Sequence, residues 1–340
     1  MGRGLTLLLA FCALASVAGC DGDATPDAAV PIDAAPSTDA ALPADAAPPI
    51  DAARPDAGAA VDPSGPGPLS TMERTDTVRR AGRNTPVVAY VPEGAGEWPL
   101  VVFLPGFQLE SRRYAALCER VASHGFVVVR ADPPASLLTV SHVAMRDDAV
   151  AVIAWARESL PVGGSVGVMG HSLGGKVATM TAGVVGEVSA LLGIDPVNGG
   201  SPITGYTMDL PDIVPSVTET LGLAAGYLGE LTNATGGSLG MACAPMAQNY
   251  QTFYEGSTRA TWAAEWTFEG ADHMDFVPDT AGCGFTCSAC TDGTADPAAV
   301  VASTSTIAVA FFRRHLGGET ALEPYLTGAS VPAGVRVRSR

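Results

Sequence analysis

Short runs of apolar and β-branched residues alternate with helix-like stretches along most of the chain beyond residue 85. These runs are apolar at successive positions, which predicts strands whose two faces are both buried. The stretches between them predict helices that cover both faces of a parallel sheet. The strand-like runs are TPVVAYVP, PLVVFLPG, FVVVRAD, SVGVMG, VSALLGID, GLAAGYLG and WAAEWTF. The alternation therefore predicts an α/β fold with a mostly parallel central sheet of about eight strands and helices on both faces.

Helical patterns occupy the segments between these runs and the segment after the last one. They are SRRYAALCERVASHG, residues 140–160, KVATMTAGVV and ASTSTIAVAFFRRHLGG. Residues 200–260 are harder to assign, and the tail from about Leu322 contains no clear element. We expect one α/β domain over residues 71–320 and a C-terminal tail over residues 321–340.

The first 20 residues have a charged start, the apolar run LTLLLAFCALASVAG and a terminal Cys20. This pattern is typical of an export signal, and the apolar run is too short to span a membrane readily. Its last four residues, VAGC, resemble the lipobox of bacterial lipoproteins, in which the cysteine becomes the acylated first residue. The alternative is an ordinary secretory signal cleaved near Gly19. The resemblance implies an exported protein that is lipid-anchored through Cys20 to a bacterial cell membrane, on its periplasmic or cell-surface side.

Residues 21–70 consist almost wholly of Asp, Ala, Pro, Gly, Ser and Thr. Such a segment has too little apolar surface to offset the entropy of folding, so it predicts a disordered linker. Its nine aspartates and one arginine supply −8 of the formal net charge of −16. The acidic balance argues against nucleic acid or anionic lipid as a partner. The aspartates lack the compact loop of a calcium site, so a solvated linker is the better interpretation.

Five cysteines follow Cys20, and several of them are closely spaced. In an exported protein, Cys243, Cys283, Cys287 and Cys290 are disulfide candidates, although their pairing cannot be read from the sequence. A zinc site is the alternative, but the segment has no evident fourth ligand. Cys118, within the apolar stretch YAALCERVA, is the expected buried free thiol.

The segment GVMGHSLGGKVA places Ser172 between a predicted strand and a predicted helix. A glycine-rich chain produces the pattern G-x-S-x-G by chance, and a helix-capping serine is the alternative interpretation. A strand, a tight turn and a helix would nevertheless expose the hydroxyl at the carboxyl edge of the sheet. Gly170 and Gly174 would permit the strained turn and the close approach of strand and helix. Ser172 is therefore the candidate nucleophile.

A serine nucleophile needs a base, and His273 is the candidate because it follows a late strand. From there a loop could bring the imidazole back over Ser172. Ordinary capping or surface roles suit the remaining histidines, which are His124, His142, His171 and His315.

The base in turn needs a carboxylate that orients it. Asp195 ends the strand-like run after the Ser172 segment, whereas Asp272 adjoins the histidine and would point the other way. Asp209 and Asp212 lie in an irregular segment that contains proline. The resulting order Ser, Asp, His is that of the α/β-hydrolase fold.

Two backbone N–H groups are candidates for an oxyanion hole. One belongs to Leu173, directly after the nucleophile, and the other to Phe107, in the loop FLPGFQ after the third strand. The alternative for this loop is a simple Pro-Gly turn. This chemistry requires no metal and no organic cofactor.

Four segments resemble the chlorophyllase family in their order and rough spacing: GHSLGGKVA, LLGIDPVNG, CAPMAQNYQTFY and GADHMDFV. The resemblance covers residues 99–316 and implies a Ser/His/Asp carboxylic ester hydrolase with Ser172, Asp195 and His273 as the triad. It also implies a small-molecule or lipid-like ester as the substrate. Plant members tend to have a basic residue where this chain has Leu173, so the resemblance predicts the reaction better than the particular ester.

Two other functions remain open at the level of the sequence. The chain could be a non-catalytic surface binding lipoprotein on a hydrolase scaffold, which predicts that a triad member is missing. It could also be a serine peptidase or lipase of the same fold, and the sequence does not separate these enzymes from an esterase. Oligomeric state cannot be read from the sequence.

Overall fold

A nine-stranded sheet forms the centre of the part of the chain that the computed structural model describes, residues 62–135, 140–199, 218, 221–236 and 242–340. The strands are β1 (Thr71–Arg80), β2 (Arg83–Pro92), β3 (Trp98–Leu104), β4 (Val127–Ala131), β5 (Val162–His171), β6 (Val188–Ile194), β7 (Ala224–Gly229), β8 (Trp262–Phe268) and β9 (Val335–Ser339). The helices are α1 (Ala115–Ser123), α2 (His142–Ser159), α3 (Leu173–Ala182), α4 (Tyr250–Gly256), α5 (Phe285–Ser288), α6 (Pro297–His315) and α7 (Glu323–Thr327).

The strand order across the sheet is β1-β2-β4-β3-β5-β6-β7-β8-β9. Strands β4, β3, β5, β6, β7 and β8 are parallel to one another, while β1, β2 and β9 are joined to their neighbours antiparallel. All seven predicted runs form strands of this sheet. The α/β-hydrolase fold that the sequence predicts is therefore confirmed, with one strand more than the expected eight.

Two apolar cores lie on opposite faces of the sheet. On β3, Leu100, Val102 and Leu104 belong to one core, and the alternating residues Val101 and Phe103 belong to the other. Helices α2, α3 and α4 supply side chains to the first core, and α1 and α6 supply side chains to the second. Burial on both faces explains why the central strands are apolar at most positions.

Hydrogen bonds and regular elements also occur outside the predicted limits 71 and 320 of the α/β domain. The predicted linker ends at residue 70, but Gly67 and Leu69 already donate backbone hydrogen bonds to Ser123 at the end of α1. The predicted tail 321–340 contains α7 and also β9, which pairs with β8. Strand β9 was missed because it is short and carries arginines at alternate positions.

The predicted signal 1–20 with its lipidation site Cys20, residues 21–61 of the predicted linker, and the alternative carboxylates Asp209 and Asp212 lie outside the described residues. None of the described helices combines the length and apolar character that a membrane span requires.

Candidate active site

Ser172 lies at the turn between β5 and α3 with a backbone φ of 54° and ψ of −120°. A positive φ is strained for a residue with a side chain, and the surrounding contacts must hold it in place. The Ser172 N–H donates to the carbonyl of Ile194 at 3.0 Å, and the Ser172 carbonyl accepts from Gly175 at 3.0 Å. These bonds fix the hydroxyl at the carboxyl edge of the sheet.

Glycines permit the close approach of β5, α3 and the loop after β3. A Cβ on Gly170 would lie 2.9 Å from the Gly175 nitrogen, and a Cβ on Gly174 would overlap the Leu104 carbonyl. Real Cβ atoms do not approach backbone this closely, so any side chain at either position would push the helix away from the sheet. The two glycines of the predicted motif therefore have the structural role that the sequence suggests.

His273 follows β8, and its loop returns over the end of β5. Its Nε2 lies 2.9 Å from Ser172 Oγ. The His273 side chain is 7% exposed, so the imidazole is largely shielded but still reaches the surface. The structure therefore brings the predicted base to the predicted nucleophile across 101 residues of chain.

Asp195 lies directly after β6, and its Oδ2 is 2.6 Å from His273 Nδ1. The residue has a positive φ of 39°, and its N–H donates to the Leu228 carbonyl at 2.8 Å. Its other carboxylate oxygen accepts from the Glu230 N–H at 3.3 Å. Burial raises the pKa of Asp195, while the hydrogen bond from His273 opposes that shift. This carboxylate fixes the imidazole with Nδ1–H toward Asp195 and Nε2 free to accept a proton from Ser172.

Asp272, the alternative acid, has a local role instead. Its carboxylate accepts from the N–H groups of Met274 at 2.7 Å and Gly293 at 2.7 Å. These bonds shape the loop that carries His273, as Asx turns do.

The loop after β3 lies beside the nucleophile. A Cβ built on Gly106 would be 3.4 Å from Ser172 Cβ. Neither the Phe107 N–H in this loop nor the Leu173 N–H at the start of α3 donates a hydrogen bond to another described residue. The lack of a hydrogen-bond partner among the described residues is compatible with a role as oxyanion donors, which stays a prediction for both N–H groups.

Two buried residues near the triad were missed as parts of the site. His171 has no exposed surface, and its Nε2 donates to the His273 carbonyl at 3.1 Å while its Nδ1 accepts from the Tyr114 hydroxyl at 2.7 Å. Burial lowers the pKa of His171 well below its usual range, so this imidazole is neutral. The ordinary capping or surface role expected for His171 is therefore wrong, although its place inside the serine motif was a usable signal.

Glu230 is the other missed residue, and it follows β7 directly. Its side chain has no exposed surface, and potential ligand atoms of Asp195, Glu230 and His273 all lie within 4.8 Å of one another. Such a group could hold a metal ion, but two of the three side chains already share a 2.6 Å hydrogen bond. The arrangement fits an imidazole that is hydrogen-bonded to Asp195 better than a metal centre. An acid at the carboxyl end of a strand next to β6 was the signal available in the sequence.

The four predicted disulfide cysteines are all paired. Cys243 is bonded to Cys290 and Cys283 to Cys287, whereas Cys118 is buried and free as the sequence predicts. The first disulfide joins the segment after Glu230 to the segment after His273. The zinc alternative for these cysteines is therefore wrong, because their sulfurs are bonded to one another.

The chain matches the chlorophyllase family model over residues 67–327. It is 31% identical to chlorophyllase-1 of Arabidopsis thaliana over 266 residues, which cover 69% of this chain and 78% of that relative. It is 30% identical to the chloroplastic chlorophyllase-1 of Citrus sinensis over 206 residues, which cover 57% of this chain and 60% of that relative. It is also 26% identical to chlorophyllase-2 of Arabidopsis thaliana over 243 residues.

The family match covers the serine turn, the strand that ends before Asp195 and the loop that carries His273. The chain therefore belongs to the chlorophyllase family and is a carboxylic ester hydrolase.

Proposed function

We propose that this protein hydrolyses a small-molecule ester through a Ser172/His273/Asp195 triad and an acyl-enzyme. The observation that supports this most strongly is the continuous relay from Ser172 Oγ to His273 Nε2 at 2.9 Å and from His273 Nδ1 to Asp195 at 2.6 Å. Membership of the chlorophyllase family supports the same chemistry.

In the first half of the reaction, His273 Nε2 takes the proton of Ser172 as Oγ attacks the ester carbonyl carbon. Asp195 stabilises the imidazolium that forms. The tetrahedral intermediate then collapses, the ester C–O bond breaks, and His273 returns the proton to the leaving alcohol. The acyl group remains on Ser172 Oγ.

The negative oxygen of the intermediate needs donors that are already in place. In this proposal the N–H groups of Phe107 and Leu173 bind it, and the start of α3 adds a favourable dipole. Such a donor typically contributes about 3 kcal/mol to transition-state stabilisation.

In the second half, water attacks the acyl carbon while His273 accepts its proton. Collapse of this intermediate breaks the bond to Ser172 Oγ and releases the carboxylic acid. The serine regains its proton from His273, and the resting state returns.

The test is hydrolysis of short p-nitrophenyl esters together with labelling by a fluorophosphonate probe. We expect turnover and labelling in the native protein and loss of both in Ser172→Ala. Ser165→Ala, a serine at the beginning of β5, is the matched control and keeps both. An inert native protein whose Ser172 resists the probe would contradict the proposal.

The relatives are named for chlorophyll, and this name does not decide the ester that this chain hydrolyses. We propose an ester rather than a peptide bond as the substrate. A panel of esters of graded acyl length, a chlorophyll, and a matched peptide anilide separates these classes. Faster turnover of the anilide than of every ester would favour a serine peptidase. A non-catalytic binding protein is disfavoured by the complete relay, because that alternative expects a missing member.

We also propose that the mature protein is exported and anchored to a bacterial membrane by acyl groups on Cys20. The supporting observation is the VAGC sequence at the end of an apolar leader. Metabolic labelling with a palmitate analogue should mark the native protein but not Cys20→Ser, and the variant should leave the membrane fraction. Equal labelling of the two proteins would exclude this anchor.

A further inference from the structure

Two carboxyl groups share the buried space around one imidazole. Asp195 and Glu230 are both without exposed surface, and His273 is the partner of only the first. One carboxylate oxygen of Asp195, one of Glu230 and one ring nitrogen of His273 all lie within 4.8 Å of one another. No described arginine or lysine forms an ion pair with Glu230, so a second negative charge here would have no cation of its own.

The two oxygens of Glu230 have unequal surroundings. Oε2 accepts from the Asn233 N–H at 2.8 Å. Oε1 is buried and has no hydrogen-bond partner among the described residues. An ionised oxygen without a partner is far more costly to bury than a neutral O–H. The surroundings of Oε1 therefore favour the protonated acid.

We propose that Glu230 is a positioning residue of the triad that stays a neutral carboxylic acid at working pH, so that Asp195 alone carries the charge that His273 balances. This proposal rests on the triad function proposed above. It assigns Glu230 no contact with the substrate and no share in the covalent steps.

The charges around Glu230 support this protonation state. The ionisable groups that face it are Asp195 at the end of β6 and Asp272 and His273 on the loop after β8. Two carboxylates that share a buried site do not ionise together easily. Burial, followed by the charge of Asp195, raises the pKa of Glu230 to about 9.

A neutral Glu230 also matters for the base. A second carboxylate at this distance would add to the negative charge that stabilises the imidazolium form of His273 and would oppose its return to the neutral base. With one charge, Asp195 orients the ring, and the imidazole remains free to accept the proton of Ser172.

The positioning role follows from the turn that Glu230 begins. The Glu230 carboxyl group accepts a hydrogen bond from the Asn233 N–H, and the Glu230 N–H donates to Asp195 at 3.3 Å. Asn233 in turn exchanges two hydrogen bonds with the Thr291 backbone, at 2.7 Å and 2.9 Å. Thr232 donates to the Ala271 carbonyl at 2.6 Å. The turn therefore connects the acid of the triad with the segment that carries its base.

The first test measures stability and does not require activity. Thermal unfolding of the native protein and of Glu230→Gln is followed between pH 5 and 9. The unfolded glutamate loses its proton near pH 4.5, whereas the folded one keeps it to about pH 9. Folding then takes up a proton at Glu230 across this window, so the contribution of this residue to stability falls as pH rises, and the amide variant lacks that contribution. We expect the Tm of Glu230→Gln minus the native Tm to increase steadily as pH rises.

The control for this series is Asp148→Asn, which alters a buried carboxylate that forms ion pairs with Arg80 and Arg83. Its Tm should lie below that of the native protein throughout the range, because the amide lacks the negative charge that both arginines contact. A Tm difference between Glu230→Gln and the native protein that stays flat or shrinks with pH would overturn the proposal.

The second test uses ester hydrolysis. The acid limb of the kcat/KM profile reports the essential base of the free enzyme. Glu230→Gln should leave this limb in place, because it replaces one neutral group with another. An acid limb that falls by about one pH unit or more would mean that the substitution removed a charge, and the proposal would be wrong.

Glu230→Ala separates positioning from protonation. Loss of the side chain frees the Asn233 N–H, and kcat should fall about tenfold with little change in KM. Recovery of native kcat in Glu230→Gln supports the positioning role, whereas native kcat in Glu230→Ala overturns it. If no ester is hydrolysed, the proposed function fails, but the Tm series still decides the protonation state of Glu230.

Discussion

The imidazole of His171 lies against the imidazole of His273, with the ring centroids 4.7 Å apart. The same ring joins the His273 carbonyl to the Tyr114 hydroxyl through hydrogen bonds of 3.1 Å and 2.7 Å. The proposed base therefore packs against a buried, neutral ring that is itself held from the other side by Tyr114. This support is expected to limit the movement of His273 away from Ser172.

Replacement of His171 by leucine should remove this support. Both hydrogen bonds disappear, and the His273 loop gains freedom to shift. We expect kcat to fall about 10- to 100-fold with little change in KM, since small displacements of a reacting group have effects of this size. Steady-state kinetics on a p-nitrophenyl ester measures the loss.

His124→Leu is the control for this substitution. His124 is also buried and its Nε2 contacts the Gly65 carbonyl at 3.1 Å, but it lies at the end of α1, away from the triad. Its kcat should match that of the native enzyme. Equal activity in both leucine variants would show that His171 does not support the base.

Asp195→Asn should abolish most of the activity without unfolding the site. The amide cannot hold Nδ1–H of His273 as the carboxylate does, so the ring loses its preferred tautomer and the imidazolium loses its counter-charge. We expect kcat to fall about 10⁴-fold. Single-turnover and steady-state assays measure the loss, and Asp147→Asn, on α2, should be native-like. A loss smaller than tenfold in Asp195→Asn would contradict its role as the acid of the triad.

The triad residues could be predicted because each follows a strand. The carboxyl ends of parallel strands meet at one edge of a sheet, so Ser172 after β5 and Asp195 after β6 must be neighbours. His273 follows β8 and needs only its loop to reach them. The apolar runs were enough to predict these strands. The residues that directly follow the strands were then the candidates for the site.

The positions of His171 and Glu230 at the ends of β5 and β7 could be read in the same way, but the burial of their side chains could not. Both are polar residues whose burial depends on packing between distant segments. Tyr114, the partner of His171, lies 57 residues away along the chain. Nothing in the local sequence shows that a histidine or a glutamate will lose all contact with water.

Strands β1 and β9 were missed for a different reason. Most side chains of β1 are exposed, and β9 places arginines on its open positions. Edge strands with charged residues resist pairing with other chains, and the same residues remove the apolar pattern that predicts a strand. Their place in the sheet comes from pairing with β2 and β8.

Gly106→Ala tests the loop that supplies the second oxyanion donor. A Cβ at this position would lie 3.0 Å from both His171 Nδ1 and Leu109 Cδ1. The loop would have to move by a few tenths of an ångström, and the Phe107 N–H would move with it. We expect kcat to fall about 10- to 100-fold, consistent with a weakened donor.

The comparison variant for this test is Gly186→Ala, where a Cβ meets nothing within 4 Å. It should retain native kcat and Tm. Unchanged kcat in Gly106→Ala would argue that the loop after β3 does not bind the oxyanion.

The disulfide between Cys243 and Cys290 should stabilise the site more than the one between Cys283 and Cys287. The first spans 47 residues and the second only 4, and a cross-link restricts the unfolded chain more when it closes a longer loop. Cys290→Ser should therefore lower the free energy of unfolding by about 2–4 kcal/mol. Denaturant titration under non-reducing conditions, with Cys287→Ser as the comparison, tests this order. A larger loss in Cys287→Ser would contradict it.

His315 should make the protein less stable in mild acid. Its ring packs against Trp262 and Phe311 with centroid distances of 4.5 Å and 4.8 Å, and its Nε2 has no hydrogen-bond partner among the described residues. Burial lowers its pKa to about 4, whereas the ring in the unfolded chain titrates near pH 6.5. Between these values the unfolded state binds the extra proton, so the stability that the neutral ring permits is present above pH 6.5 and is lost as pH falls toward 4. His315→Gln removes this ionisation, so the Tm of the variant minus the native Tm should increase as pH falls from 7 to 4.5. This trend is expected even if the variant is less stable at neutral pH because it loses packing. A Tm difference that does not change across this range would mean that His315 is not kept neutral by burial.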